Sequence, residues 1–105
     1  MTHVEEWVPL RSSGLHARVI RIHRAEVAFF KHLFESYEEV GIVRTVETRS
    51  DGTVAIAVLV PRDYVAVAAG ILADVATRGA PRFEPEPLPP VCTEDWFLEA
   101  WTRER

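Results

Sequence analysis

The sequence predicts an α+β fold, a single domain built on a β-α-β-β-α core. Segments with strand and helix periodicity alternate along the chain, which is typical of this class. The chain has 105 residues, 48% of them hydrophobic, enough to form one core without disulfides or metal. The pair Asp51-Gly52 between two strand-like segments marks a tight hairpin.

The first half of the core is a strand followed by a helix. Residues 1–15 are predicted to be irregular, and residues 16–23 to form the first strand. A helix is predicted over 24–40 because apolar side chains recur at three- and four-residue spacing. These side chains are Val27, Phe30, Phe34 and Tyr37. Gly41 follows, where helices often end in the left-handed conformation.

The hairpin joins predicted strands over 42–49 and 53–60, and its register stays open. A two-residue turn places Val43, Thr45 and Glu47 beside the valines of the next strand. A three-residue turn places Ile42, Arg44 and Val46 there instead. Because a slip of one residue exchanges the two faces, the side on which Arg44 lies is not fixed.

The strand over 53–60 is apolar on both faces, which predicts that both are covered. Exposed apolar area costs about 25 cal/mol per Å². Three candidates remain for the face that carries Ala55: a second copy's sheet, the chain's own C-terminal helix, or that helix donated by a neighbour. The predicted interface residues are Val19, Ala55, Ala57, Leu59, Trp96, Phe97 and Trp101.

The second helix is predicted from Pro61 to Arg78, with Gly79 at its end. Its inner stripe is Val65, Ala68, Leu72 and Val75. Gly70 interrupts this helix at a cost of about 1 kcal/mol relative to alanine, and close approach to the first helix or the sheet is the predicted reason.

The C-terminal part is a proline-rich extended segment over 80–92 and an amphipathic helix over 93–105. Residues 82–84 are a candidate edge strand, and Thr93 is the predicted N-cap. With a core over 16–79, this order predicts a ferredoxin-like β-α-β-β-α(-β) sandwich with a proline-rich link to a short helix. A homo-oligomer is expected, and a dimer is favoured because two-fold closure is the commonest symmetry.

Composition excludes several classes of function. A net charge of −4 argues against nucleic-acid and anionic-membrane binding, and the strands over 16–23 and 53–60 lack the aromatics of RNA-recognition motifs. No stretch has a transmembrane length and no leader-like segment opens the chain, so a cytoplasmic location is expected. The chain lacks Asn and Gln and has one lysine beside eleven arginines, a composition favoured either by thermophily or by a GC-rich genome.

Two places are candidate ligand sites. Arg21, His23 and Arg24 lie where the first strand meets the first helix, which favours a small anionic ligand. Arg44, in an apolar strand, is expected to pair with Glu47 or an interface carboxylate, or to bind a ligand. Histidines 16, 23 and 32 lack metal-ligand spacing, so neither a metal nor a cofactor is predicted.

The segment from Phe34 to Glu47, followed by Asp51-Gly52 and an alternating strand, resembles a family of short bacterial proteins of unknown function. The core pattern also resembles ACT-like regulatory domains. This resemblance implies a fold that dimerises and binds small ligands such as amino acids. The chain has His23-Arg24-Ala25 where ACT ligand sites carry a glycine-containing loop, a departure that counts against amino-acid binding.

No catalytic motif is recognisable. The leading hypothesis is a non-enzymatic, homo-oligomeric module for ligand sensing or assembly. The alternative is a small ferredoxin-like or dimeric-barrel enzyme that uses His23 as acid or base, with Arg21 or Arg44 binding an anion.

Overall fold

The computed structural model describes residues 7–10, 14–35 and 40–104. These residues form an α+β architecture, as predicted, with an open antiparallel sheet of five strands and with three helices. Short 3-10 turns, Arg24–Glu26 and Arg62–Tyr64, precede the first two helices. In chain order the elements are β1 (Val8–Pro9), β2 (Leu15–His23), α1 (Val27–Glu35), β3 (Ile42–Thr48), β4 (Thr53–Pro61), α2 (Val65–Arg78), β5 (Phe83–Glu86) and α3 (Glu94–Glu104).

The sheet places β4 between β2 and β3. β2 and β4 pair along their whole length, from Leu15 opposite Pro61 to His23 opposite Thr53. The other edge of β2 is shared by β1, which lies in the segment predicted to be irregular, and by β5, at the candidate edge strand. β4 is therefore hydrogen-bonded to a neighbouring strand on each edge, and its two faces contribute to two separate apolar clusters.

One face of the sheet packs against α1 and α2 and is called the helix face. β4 contributes alternate residues to it, as strand geometry requires: Val54, Ile56, Val58 and Val60. From α1, Phe30 and Phe34 are fully buried. From α2, the buried residues include the predicted stripe of Val65, Ala68, Leu72 and Val75. Tyr37, predicted on the α1 stripe, lies outside the described residues.

The opposite side, called the alanine face, is covered by α3 of the same chain. Ala55, Ala57 and Leu59 of β4 are fully buried there. Phe97, on α3, is also fully buried and belongs to the same apolar cluster. Thr93 caps this helix as predicted, because its Oγ1 accepts a hydrogen bond from the Trp96 backbone N–H at 3.2 Å.

The β3–β4 hairpin contains both predicted registers, one on each side of a β-bulge. The backbone N–H of Arg49 donates to the Thr53 carbonyl at 3.0 Å, which closes a three-residue turn containing Gly52 at φ 89°. Glu47 accordingly pairs with Ala55, but beyond the bulge Thr45 pairs with Ile56. The shift of one residue turns Val43 toward the helix face and Arg44 toward the alanine face.

Gly41 contributes a close approach and not a left-handed turn, so the prediction for this residue is wrong. A Cβ atom here would lie 2.4 Å from the Leu59 carbonyl oxygen and 2.6 Å from Cγ1 of Val60. Only a residue without a side chain lets the segment before β3 lie this close to β4. The left-handed conformation occurs at Gly79, which ends α2 at φ 78°.

The exposed edge of β3 is covered by side chains from α1. The backbone N–H of Val43 donates to Glu35 Oε2 at 2.8 Å. Nζ of Lys31, the chain's one lysine, donates both to the Val43 carbonyl and to Glu35 Oε2, each at 3.3 Å. The backbone N–H and C=O of Val43 are therefore satisfied within the chain, which removes this point of the β3 edge from pairing with a strand of another chain.

Candidate functional site

The predicted anion site at the start of the first helix is occupied by a side chain of the protein itself. Nδ1 of His23 accepts a hydrogen bond from the Ala25 backbone N–H at 3.1 Å and so caps the 3-10 turn. The backbone N–H of Arg24 donates to the Gly52 carbonyl at 2.9 Å, which ties the turn to the hairpin. His23 therefore takes the position where a bound anion would meet these N–H groups.

Arg21 belongs to an ion-pair network instead of standing free for a ligand. Its guanidinium nitrogens lie 3.7 Å from Glu84 and 3.7 Å from Glu86. Glu86 also receives two hydrogen bonds from Arg49, at 2.6 and 2.9 Å, and Arg49 Nε donates to Glu47 at 2.5 Å. The Arg49 guanidinium lowers the pKa of Glu86, and the two carboxylates raise the pKa of Arg49.

This network crosses the alanine face at the level of Ala55. Arg21 and Glu47 both pair with Ala55, from the strands on its two sides. The methyl group of Ala55 leaves room above β4 for the Arg49–Glu86 pair to connect the two edges of the sheet. The alanine face therefore carries this ionic network as well as the apolar cluster that includes Phe97.

A surface depression of about 230 Å³ adjoins His23, and its lining includes Arg21, Glu26 and Glu84. Two arginines, Arg21 and Arg82, and two glutamates, Glu26 and Glu84, line the depression, so its formal charges balance and it has no excess of positive charge for an anion. Arg44 is not part of it. Arg44 pairs with Ala57 and His23 with Thr53, which separates them by about 13 Å along β4.

Arg44 lies against α3, on the alanine face. It lines a cavity of about 60 Å³ together with Trp96, Glu99 and Arg103. Glu47, one of its predicted partners, pairs with Arg49 instead. The cavity is too small for a metabolite, since ligand pockets usually have volumes of about 300–1,000 Å³.

The residues predicted to form an interface between copies come together within one chain. Trp96 and Trp101 are half-buried and complete the cluster of the alanine face. Cys92 is buried beside them, and burial raises the pKa of its thiol. Because α3 covers this face, the apolar area here no longer requires a second copy.

A different surface is left open on the helix face, between α1 and α2. This helix groove is lined by Phe29 and Leu33 of α1 and by Val67, Gly70 and Ile71 of α2. Its volume is about 640 Å³. Phe29 and Val67 are large apolar residues, yet 41% and 50% of their surfaces are exposed. Contiguous exposed apolar surface of this kind is typical of interaction sites.

The groove is also nearly free of charge. No charged residue occurs in the chain from Tyr64 to Ala73, although a surface helix normally presents charged groups to water. Asp74 and Arg78 line one end of the groove and pair with each other at 3.0 Å. The absence of charge from Tyr64 to Ala73 is evident in the sequence. The inner apolar stripe of the same helix was sufficient to account for it, so the exposed apolar surface was not predicted.

Metal-binding and membrane-spanning features are absent from the residues that the structure describes. Their His, Cys, Asp and Glu side chains form no group of three or more that could hold a metal ion. None of their helices has the length and apolar character needed to cross a bilayer. Comparison with protein-family models, curated proteins and solved structures found no match to this chain.

Proposed function

We propose that the chain is a non-enzymatic assembly module that works in the cytoplasm as a homodimer and associates through the helix groove. The proposal includes a ferredoxin-like core. The strand order β5-β2-β4-β3, with two helices on one face, supports that arrangement. The resemblance to short bacterial proteins with an ACT-like core, a fold that dimerises, agrees with it.

The observation that carries this proposal is the exposure of Phe29 and Val67 on facing walls of a groove whose charged lining residues, Asp74 and Arg78, lie at one end. Fully burying an apolar side chain of this size contributes roughly 1.5–3 kcal/mol, and about half of that gain remains for side chains that are already half-buried. The alanine face cannot bury further apolar area against a second copy while α3 covers it. Association through the helix groove leaves the fold of each chain unchanged.

The lining of the groove favours a protein partner over a polar metabolite. Small-molecule sites combine apolar walls with several converging polar groups. Here the charged groups among the lining residues are Asp74 and Arg78, and they already pair with each other. An apolar surface with a charged rim is instead the usual composition of a protein interface.

Light scattering coupled to size-exclusion chromatography tests the proposal. At micromolar concentration we expect twice the mass of one chain. A single-chain mass at the highest soluble concentration contradicts the homodimer.

The alternative, a small enzyme that uses His23 with Arg21 or Arg44, has weaker support. His23 Nδ1 already accepts a backbone hydrogen bond, Arg21 lies beside two carboxylates, and Arg44 lies elsewhere on the sheet. If the alternative holds, soaking crystals in inorganic phosphate places an anion on His23 and Arg21. On the assembly proposal that position stays empty.

A further inference from the structure

We infer that a small oxyanion, of the carboxylate or phosphate class, binds under the N-terminal end of α2, where Trp7, His16 and Arg18 lie together on the helix face. None of these three residues lines the helix groove or the depression beside His23. The inference goes beyond the proposed function, because it concerns a ligand and not the contact between copies.

Two buried nitrogen atoms carry the argument. Trp7 is 3% exposed, and its Nε1 is buried without a hydrogen-bond partner among the described residues. Nδ1 of His16 is buried in the same way, although the residue as a whole is half-buried. Buried polar atoms in folded proteins are nearly always hydrogen-bonded. Two such atoms at one place therefore indicate a partner that the described chain does not supply.

The strand register brings the three side chains together. Pro9 pairs with His16 in the antiparallel register of β1 and β2. Two residues back along the first strand and two forward along the second, Trp7 lies opposite Arg18, and Cβ atoms of such pairs are about 4.5–5.5 Å apart. His16 and Arg18, two residues apart on one strand, share a face. That face is the helix face, because Trp7 belongs to its apolar cluster.

The surroundings favour negative charge in the ligand. Among the described residues Arg18 is the one buried charged side chain, and it has interactions of its own, so the ligand's hydrogen bonds are assigned to Trp7 and His16. The backbone N–H of Arg62 donates to the Gly14 carbonyl at 3.1 Å, which holds the beginning of α2 beside the beginning of β2. The first turn of α2 has no side-chain cap, so its positive dipole end is open to an anion.

The chemistry of the two nitrogens selects an acceptor. An indole N–H can only donate, and a histidine nitrogen donates in one tautomer and in the charged ring. The two oxygens of a carboxylate or phosphate accept from both at once, and hydrogen bonds to a charged acceptor are roughly twice as strong as those between neutral groups. A water molecule also accepts two hydrogen bonds, so the experiments have to separate water from an anion.

The sheet edge gives a small ion a way in. β1 pairs with β2 as far as Ala17, and β5 pairs with it from Val19, so the two edge strands meet at Arg18. β1 has two residues, and a strand this short is held by few hydrogen bonds. Its movement admits an ion without unfolding the core.

Thermal unfolding in different sodium salts tests the site. Acetate and phosphate stabilise folded proteins in general because they are excluded from the surface, so matched variants measure that general effect. At constant ionic strength, with chloride as the reference, we expect the rise in melting temperature of the wild type in acetate or phosphate to exceed that of Trp7→Phe by about 4 °C or more. His16→Leu should lose the same increment, while Trp96→Phe, which changes an indole on the alanine face, should keep it. An increment in one salt alone assigns the ligand to that class, and equal rises in wild type and Trp7→Phe overturn the inference.

Nuclear magnetic resonance of the indole N–H groups gives a second test. The chain has three tryptophans, and the signal missing from Trp7→Phe identifies Trp7. We expect the salt that gives the increment to shift this signal in a saturable way and to leave those of Trp96 and Trp101 in place. A Trp7 signal that does not move, or that shows contact with water at every salt concentration, overturns the inference. Both measurements apply to a monomer and to a dimer, so their failure leaves the proposed function standing.

Discussion

Gly41 and Gly70 both lack a Cβ atom, but the space around the two residues is opposite in character. At Gly41 an added Cβ would overlap the Leu59 carbonyl, a backbone atom that cannot rotate away. At Gly70 it would enter open space. The contrast separates a glycine that the fold of one chain requires from one that it does not.

We therefore predict that Gly41→Ala lowers the free energy of unfolding by about 2–3 kcal/mol, as overpacking usually does. Gly70→Ala, the matched control, should raise it by about 0.5–1 kcal/mol. Urea denaturation of both variants, at a concentration where the chains are monomeric, measures the difference. Equal effects would show that the close contact at Gly41 is absent.

Among the elements, α3 depends on one side chain more than on any other. Phe97 is fully buried against the alanines of the sheet, while the next residue, Leu98, is 44% exposed. Both residues share the same helix, so their helix propensity effects are similar. Comparing their truncations isolates the docking of α3.

We predict that Phe97→Ala destabilises the protein by about 3–5 kcal/mol and exposes the alanine face. Leu98→Ala should cost well under 1 kcal/mol, as is usual for surface substitutions. Thermal unfolding, followed by the emission of the three tryptophans, of which Trp96 and Trp101 lie on α3, measures both. Similar losses for the two variants would mean that α3 is not docked through Phe97.

The ion pairs between β3 and β5 predict a dependence of stability on pH. Arg49 lowers the pKa of Glu86 in the folded chain, so the folded state binds the proton less readily than the unfolded state. The resulting stability is present above the unfolded value, about 4.3, and is lost as the pH falls through the folded value.

Glu86→Gln should therefore destabilise the protein at neutral pH, and its stability should approach that of the wild type only as the pH falls below the lowered pKa of Glu86. Unfolding measured across this range, with Glu84→Gln as the control, checks the prediction. Among the described residues Glu84 has one ion pair, with Arg21 at 3.7 Å, so its replacement should change the profile less. If Glu86→Gln lowers the free energy of unfolding by the same amount at every pH, the lowered pKa of Glu86 is not the source of the pH dependence.

At the scale of the whole molecule, local periodicity predicts the three helices, the strands β2, β3 and β4, and their buried faces, but not β1. The stripe of α2 and the alternation of β4 are set by the direction in which each side chain leaves the backbone, which sequence spacing reports directly. The Thr93 cap is equally local. These features needed no knowledge of distant residues.

Features that depend on distant parts of the chain were not predictable. The bulge at Val46 combines two registers, and each alone matched the hairpin sequence. The sequence did not show whether α3 or a second copy covers the alanine face, because that depends on the path of the proline-rich link. The helix groove was not predicted, because an uncharged helix surface has the same amino-acid composition whether it is buried or exposed.

The claim that the helix groove is the face used for association is tested most directly by placing one charge on each of two exposed surfaces. Val67 and Leu98 are exposed to similar extents, 50% and 44%, on α2 and α3. Sedimentation velocity of the two glutamate variants compares these surfaces in chains that fold normally. We predict that Val67→Glu sediments as a monomer while Leu98→Glu remains a dimer like the wild type. A dimeric Val67→Glu, or loss of the dimer in Leu98→Glu alone, would contradict the account.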